Sequence, residues 1–322
     1  MKQYNVVICT NLQELKDILE IGLINENAHI LLDCNVSLDG VDIYTDKVTR
    51  FSVRESKALV IYKLFSCLRK YKKHEILCGF TFFEIRFVAM LLGLNITSYY
   101  RCPVTFINRP VYNVLHNIGS ISPRLRLLSQ YYAQRYIVSN HSSLAQIEKR
   151  FGEQSNIIKV KAPHFNRYCS IVNLKQPENI VFLTGAHIYH GDLESQDFQV
   201  KLLNKCIESL SAGEKIYVKI HPRDSLENYP FLSPNNSILL ESFEDCLSVA
   251  SDSTFFSNFS YMGLEINSLG GRVNFIVDEK MHEKYGFWFE LYNVIPSFNV
   301  SDILDRKFLN INNDFFLNVD NV

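Results

Sequence analysis

The sequence predicts an α/β protein of two sandwich units, each a parallel sheet flanked by helices. Three observations carry this. Short, nearly continuous apolar runs, the pattern of strands covered on both faces, alternate with stretches of helical periodicity. The alternation occurs twice, on either side of a proline-bearing segment, Ala162–Pro177, that has little periodicity of its own. The chain has 322 residues, enough for two ordinary domains. The expected division is 1–165, a linker at 166–177, and 178–322, with the end of the chain free to pack back on the first unit.

The first unit opens with Tyr4–Thr10, a buried strand. Asn11 caps a helix over Leu12–Ile21, with Leu12, Leu15, Ile18 and Leu19 at helical spacing. A turn at Asn25–Asn27 leads to a strand at His29–Cys34, which completes a βαβ unit and fixes the sheet as parallel. Ser56–Lys70 reads as a helix, Glu75–Gly79 as a strand, Phe82–Leu92 as an apolar helix closed by Gly93, and Asn95–Tyr100 as a strand. Lys70, Lys72, Lys73 and His74 read as a solvated helix end, where cations suit the helix dipole. Ser122–Tyr136 carries Arg124, Arg126 and Arg135 with aromatic residues; an ordinary surface helix is expected, and contact with an acidic lipid surface is the sharper reading. Tyr136–Ser139 is a last strand, and a helix from His141 runs to Phe151.

The second unit begins at Ile180–Thr184 and passes into a loop, Gly185–Asp192, that holds two glycines. A helix over Phe198–Leu210 precedes a strand in which Ile216, Val218 and Ile220 alternate with Tyr217 and Lys219. His221-Pro222 stops that strand, because proline has no N–H for a ladder. Then follow a short strand at Ile238–Leu240, a helix at Phe243–Ala250, a strand at Thr254–Phe256, a helix at Tyr261–Leu269 closed by Gly270-Gly271, and a strand at Val273–Val277. Two such units facing across a linker would make a cleft.

Composition excludes several classes. Lys and Arg number 33 against 34 Asp and Glu, a formal net charge of −1 that gives no global reason to expect nucleic acid. No apolar run is long enough for a membrane helix and no signal peptide opens the chain. The eight cysteines form no close pair of zinc-ligand or redox type and read as reduced thiols of a cytoplasmic protein. There is no Gly-x-Gly-x-x-Gly, no Walker-type loop, and no Asp-x-Asp or His/Asp cluster at metal spacing.

Three features converge on one edge of the second sheet. His221-Pro222-Arg223 lies where a strand leaves the sheet; the histidine can pass a proton and the arginine can grip an anionic oxygen. Glu241 stands at another strand end. Ser257-Asn258-Phe259-Ser260 is a strand-to-helix turn whose free N–H groups and hydroxyls make an anion site. Taken singly, these are a proline-terminated strand, a surface carboxylate and an N-cap. Together they resemble a nucleotide phosphate site with a carboxylate for a ribose diol.

This set of pieces resembles bacterial sialyltransferases of the GT-B type, above all the lipooligosaccharide sialyltransferases of glycosyltransferase family 52. His221-Pro222 matches their His-Pro motif, with Arg223-Asp224 extending it. Ser260-Tyr261, with Ser257 before it, takes the place of their Ser-Ser or Ser-Thr motif; Ser253-Thr254 is the literal dipeptide but precedes the strand. Ile8–Gln13 is similar to their amino-terminal Thr-Pro-Leu-Gln, with Asn11 replacing proline. The resemblance implies a GT-B fold and a CMP-sialic acid donor. It implies a galactose-containing acceptor on a bacterial surface glycan, lipid-linked or part of lipopolysaccharide.

It further implies inverting transfer without a metal or other cofactor, in the cytoplasm, with room for peripheral contact with the inner membrane and for a homodimer. His221 would serve the leaving phosphate. Pro222, Arg223, Ser257, Asn258, Ser260 and Gly185 would line the donor site, with Glu241 on the ribose. The family's acidic base motif is altered here: Gly191 is present but follows His190, so Asp192, Glu194 or His190 itself would be the base. A transferase of another CMP-activated nonulosonic or Kdo-type sugar, and a non-catalytic glycan- or nucleotide-binding module, are the alternatives.

Overall fold

The computed structural model describes residues 2–34, 38, 41, 47–52, 55–72, 74–79, 81–101, 110–119, 121–122, 124–152, 156–172, 177–292, 294–298 and 315–317. The chain divides into one unit of Met1–Pro163 with Leu317–Val322 and another of His164–Phe316.

In the first unit the elements are β1 (Tyr4–Cys9), α1 (Leu12–Glu20), β2 (Ile24–Asp33), β3 (Val48–Phe51), α2 (Lys57–Leu68), β4 (Glu75–Cys78) and α3 (Phe83–Leu92). They continue with β5 (Asn95–Tyr100), α4 (Pro110–Gly119), β6 (Arg135–Val138), α5 (His141–Phe151) and β7 (Ile157–Lys159). All strands are parallel, in the order β3-β2-β1-β4-β5-β6-β7. Each face is covered: Val6 and Ile8 enter one apolar cluster, Val7 and Cys9 the other. Hence β1 is apolar without alternation. Leu317 also belongs here, 4% exposed, its N–H donating to the Ser139 carbonyl at 3.0 Å.

Two expectations for this unit are corrected. Asn25–Asn27 is not a turn between elements but a distortion inside β2, where the register jumps from Tyr4↔Ile24 to Val6↔His29 and the Asn27 N–H bonds its neighbour's Asn25 Oδ1 at 2.9 Å. Ser122–Tyr136 is not one helix. It is a 3₁₀ turn, Leu125–Leu128, ended where Tyr131 takes φ 59°. Arg135 therefore falls in β6 and pairs with Glu75 at 3.3 Å instead of joining a helical basic face.

The second unit holds α6 (His164–Arg167), β8 (Asn179–Leu183), α7 (Leu193–Glu208), β9 (Ile216–Lys219), β10 (Ser237–Leu239) and α8 (Phe243–Ser248). It ends with β11 (Ser253–Ser257), α9 (Tyr261–Ser268), β12 (Arg272–Phe275) and α10 (Glu279–Leu291). The sheet is parallel, in the order β10-β9-β8-β11-β12. The segment expected as a linker begins inside this unit: His164 is 3% exposed, and Ile171 donates its N–H to the Leu269 carbonyl at 2.6 Å. Residues 173–176 of it lie outside the described residues. Among the described residues no helix is long and apolar enough to cross a membrane.

One buried carboxyl shapes the pH dependence of the first unit. Glu14, 7% exposed, accepts the Thr10 N–H at 3.0 Å and the Thr10 hydroxyl at 3.2 Å. A Cβ on Gly79 would lie 2.5 Å from its Oε2, so glycine is needed there for the close approach. Burial raises the Glu14 pKa, and the bonds from Thr10 and Asn11 only partly oppose it. A carboxyl with a raised folded-state pKa contributes its stability below its ordinary pKa and loses it as pH rises through the folded value. Glu14→Gln should therefore melt higher than the parent at pH 7 and no differently near pH 4. Thermal unfolding across that range tests this, and a less stable glutamine variant at pH 7 would refute it.

Candidate functional site

The strand order of the second unit reverses between β8 and β11, and in open parallel sheets ligands bind beyond the carboxyl ends of the strands at such a reversal. A pocket of about 420 Å³ lies there. Gly185, Ala186 and His187 follow β8, Phe259 and Ser260 follow β11, and His221 follows β9. Tyr261 of α9, with Tyr285 and Trp288 of α10, completes the lining.

The loops are set by buried hydrogen bonds. Gln199, fully buried on α7, accepts the Gly185 N–H at 2.6 Å. Its amide nitrogen donates to the Tyr229 hydroxyl at 2.7 Å, and that hydroxyl donates to Asp224. Asp224 in turn accepts from Asn228 at 2.6 Å and from the Ser225 N–H at 2.9 Å. Thr184 Oγ1 receives the His221 N–H at 2.8 Å. The turn after β9 is thus tied to the loop after β8. Gly185 has a steric reason as well: a Cβ there would lie 2.9 Å from His187 Nε2 and 3.3 Å from the Phe259 carbonyl oxygen.

His221 Nδ1 accepts the Arg223 N–H at 3.1 Å. In the neutral ring the proton then sits on Nε2, and the imidazole is a donor at that end. Pro222 and Arg223 are exposed, and the Arg223 guanidinium lies 4.9 Å from the Tyr189 ring centroid, a cation–π arrangement. Ser260 is the N-cap residue of α9 yet makes no side-chain cap bond. Its hydroxyl and the first N–H groups of that helix are anion donors beside the pocket.

Other expected residues stand elsewhere. Ser257 is fully buried and donates to the Leu183 carbonyl at 3.0 Å, across the register pair that joins β11 to β8. Asn258 is fully buried and donates to the Ile276 carbonyl at 3.0 Å. Both fasten the sheet rather than face the pocket. Glu241 is exposed, one strand over from His221 at the same end of the sheet, and does not line the pocket; its N–H joins Asp245 at 2.9 Å in the cap of α8.

Asp192 is the N-cap of α7, which begins five residues before the expected helix. It accepts from Ser195 N–H at 3.3 Å, from Lys284 at 2.7 Å, and from the Tyr285 hydroxyl. Burial alone would raise its pKa, but these donors outweigh burial and hold the carboxyl well below the usual range. A carboxylate so engaged is a poor base; it clamps α10 to α7. Glu194 is exposed and pairs with Lys280 at 2.6 Å. The His190 side chain lies outside the described residues.

Two features went unnamed in the sequence reading: His187, 7% exposed in the pocket, and the whole of α10 with its Tyr285 and Trp288. Asp278, whose side chain accepts the Met281 N–H at 2.7 Å, is the capping signal that marks where α10 starts. Among the described residues no group of three His, Cys, Asp or Glu could hold a metal ion.

No protein-family model and no curated protein matches the chain. Solved structures do match it in fold. A co-structure of S. aureus MnaA with UDP is 12% identical, covering 95% of this chain and 87% of that one, with a TM-score of 0.58. The UDP-GlcNAc 2-epimerase from Methanocaldococcus jannaschii is 12% identical, covering 99% and 95%, with a TM-score of 0.56. CalG4, the calicheamicin glycosyltransferase, is 9% identical, covering 95% and 89%, with a TM-score of 0.53. The fold is of the GT-B type. In this GT-B chain the pocket described above lies in the second unit, where the sheet order reverses.

The clamp yields a stability prediction. A carboxylate with a depressed folded-state pKa contributes stability above its ordinary pKa and loses it as pH falls toward the folded value. Asp192→Asn keeps the cap geometry but removes the charge. It should lower stability by about 1.5–3 kcal/mol at pH 7, the range for hydrogen bonds to charged groups. The gap to the parent should shrink as the pH of the melt is taken below about 4.

Proposed function

We propose that this protein is a glycosyltransferase that moves a sugar from a nucleotide-activated donor bound in the second unit. For the donor we favour CMP-sialic acid, with a galactose-bearing bacterial surface glycan as acceptor. The observation that carries the reading is the lining of the pocket at the sheet reversal. Among the described residues it holds two imidazoles and a helix-start serine, and no carboxylate. CMP-sialic acid brings a phosphate and a carboxylate of its own, and a lining without carboxylates does not repel them. The His221-Pro222 motif and its resemblance to the sialyltransferases supply the donor class.

In this reading the acceptor hydroxyl attacks the anomeric carbon as the bond from that carbon to the phosphate oxygen of CMP breaks. The electron pair of the broken bond leaves with CMP. The His221 Nε2–H and the Ser260 hydroxyl hydrogen-bond the departing phosphate, and Arg223 adds positive charge at the rim. The acceptor's proton goes to His187, since Asp192 is held by its donors and His221 is already the donor. Phe259 and Trp288, with centroids 6.1 Å apart, offer aromatic faces to the base or the sugar ring. Glu241 keeps its proposed place near the ribose because of the strand end it occupies. The reading uses no metal.

A UDP-sugar is the second donor reading. It is favoured by fold neighbours such as the UDP-glucosyltransferase from Polygonum tinctorium, 13% identical over 93% of this chain and 86% of that one, TM-score 0.51.

Thermal melts with CMP and with UDP separate the two readings. A ligand at one hundred times its Kd stabilises by about 2.7 kcal/mol. CMP should raise the melting temperature and UDP should not; a shift with UDP alone would move the donor to the other class. With CMP-sialic acid as donor, His221→Ala should lower kcat by about 10²–10⁴-fold, leave the donor KM much less changed, and still melt cooperatively. Full turnover in that variant would end the assignment of His221.

A further inference from the structure

The first unit has a pocket of its own, about 210 Å³, bordered by α4, the 3₁₀ turn Leu125–Leu128 and the last turn of α5. His116 comes from α4, Arg126 from the turn and Arg150 from α5, with Ser129, Tyr132 and Phe151 beside them. Every ionisable lining group that carries a full charge at pH 7 is a cation, and no carboxylate lines the pocket among the described residues. The His116 Nδ1 is buried without a hydrogen-bond partner there, although its ring is only partly buried and packs against Phe151 at a centroid distance of 6.1 Å. Burial, then the Arg150 and Arg126 charges, push the His116 pKa down, so the three groups already feel one another. Behind the wall a further guanidinium, that of Arg86, is 3% exposed and donates to the Ser129 carbonyl.

The chain is built to bring these cations together. A Cβ on Gly119 would lie 2.7 Å from Ser129 Oγ and 3.0 Å from Arg126 Cα, so only glycine lets α4 lie this close to the turn that bears Arg126. The unpartnered buried nitrogen of His116 is unfavourable as it stands. An anion with several acceptor oxygens would give it a partner beside two guanidiniums, and planar guanidinium forks match tetrahedral oxyanions at two points.

We propose that this pocket binds a phosphoryl group, held by Arg126 and Arg150 with a hydrogen bond to His116. Its volume suits a phosphomonoester or a pyrophosphate rather than a whole nucleotide. The phosphoryl group has two sources, a soluble phosphate compound or the headgroup of a lipid. The outer face of α4 bears on the choice. Val111, Val114 and Ile118 are exposed at helical spacing, and Ile121, 79% exposed, follows them, so an apolar stripe flanks the cationic pocket. This site belongs to the first unit and stands apart from the donor reading.

Calorimetric titration of the intact chain with inorganic phosphate and with pyrophosphate tests the proposal. The parent should bind. Arg126→Gln and Arg150→Gln should each weaken binding about ten- to a hundredfold, the worth of one charge-assisted hydrogen bond, and the pair together should abolish it. If the glutamine variants fail to fold, Arg126→Lys and Arg150→Lys keep the charge without the fork and should still weaken binding measurably. The melting shift produced by a nucleotide should be the same in all of them, which separates this site from the other pocket.

Co-sedimentation with phosphatidylcholine vesicles, with and without phosphatidic acid, assigns the source. Binding that needs phosphatidic acid and is competed by inorganic phosphate marks a headgroup site; binding of free phosphate alone marks a soluble ligand. A parent that binds neither phosphate nor pyrophosphate nor phosphatidic acid, or arginine variants that bind as the parent does, would overturn the proposal.

Discussion

Two of the three loops that line the second unit's pocket hang from one buried amide. Gln199 receives the Gly185 N–H at its oxygen and reaches Tyr229, and through it Asp224, from its nitrogen. A side-chain amide is well suited to this, because it accepts and donates at once. The loop after β8 needs an acceptor and the turn after β9 needs a donor. Gln199 is fully buried on α7, out of reach of bulk solvent, so its bonds have fixed partners. The turn that carries His221 is therefore tied not only to its own strand but to a helix more than twenty residues earlier in the chain.

This arrangement explains what the carboxylates are doing. Asp192, Asp224 and Asp245 all sit in turns or helix starts beyond the strands of the sheet, where a catalytic acid or base would be sought. Each is instead an acceptor for backbone or side-chain donors: Asp192 caps α7 and holds Lys284 and Tyr285, Asp224 holds the turn after His221, and Asp245 completes the cap of α8. Carboxylates are good at this because an ionised oxygen takes several charge-assisted bonds at once. Their engagement leaves the pocket lining to imidazole, hydroxyl and aromatic groups.

The parts legible in the sequence were those with local causes. The helix after Asn11, the close of α3 at Gly93, and the end of β9 at His221-Pro222 follow from capping, left-handed glycine and the missing proline N–H. Ser260 was legible as the residue at a helix start. The bonds of Ser257 and Asn258 were illegible because β11 is buried on both faces, so alternation gives no sign of which side chains leave the sheet; their partners, Leu183 and Ile276, come from neighbouring strands or their ends. The surroundings of the candidate base Asp192 were illegible for a related reason. Asp192 looked like loop, and its Lys284 and Tyr285 partners lie on α10, far along the chain, so its role as clamp is invisible without them. α10 itself went unread because an aromatic run, Phe287-Trp288-Phe289, crosses its faces and blurs the helical period. The edge strands β3 and β7, of four and three residues, also went unread.

Among the described residues no acidic group lines this pocket, which bears on how ligand charge is met. An anionic ligand entering a lining that contained Asp192 as a free carboxylate would meet like-charge repulsion strengthened by the low dielectric of a closed site. Tying Asp192 to Lys284 removes that repulsion without removing the negative charge the helix start needs, because the lysine neutralises it at 2.7 Å and the cap bond to Ser195 remains. Tyr285 gains from the same contact: its hydroxyl is engaged by Asp192, which turns the phenol into a fixed wall rather than a mobile donor. Clamp and pocket are thus one construction, in which Asp192, bonded to the pocket residue Tyr285, is made structural and its charge is met by the same pair of bonds.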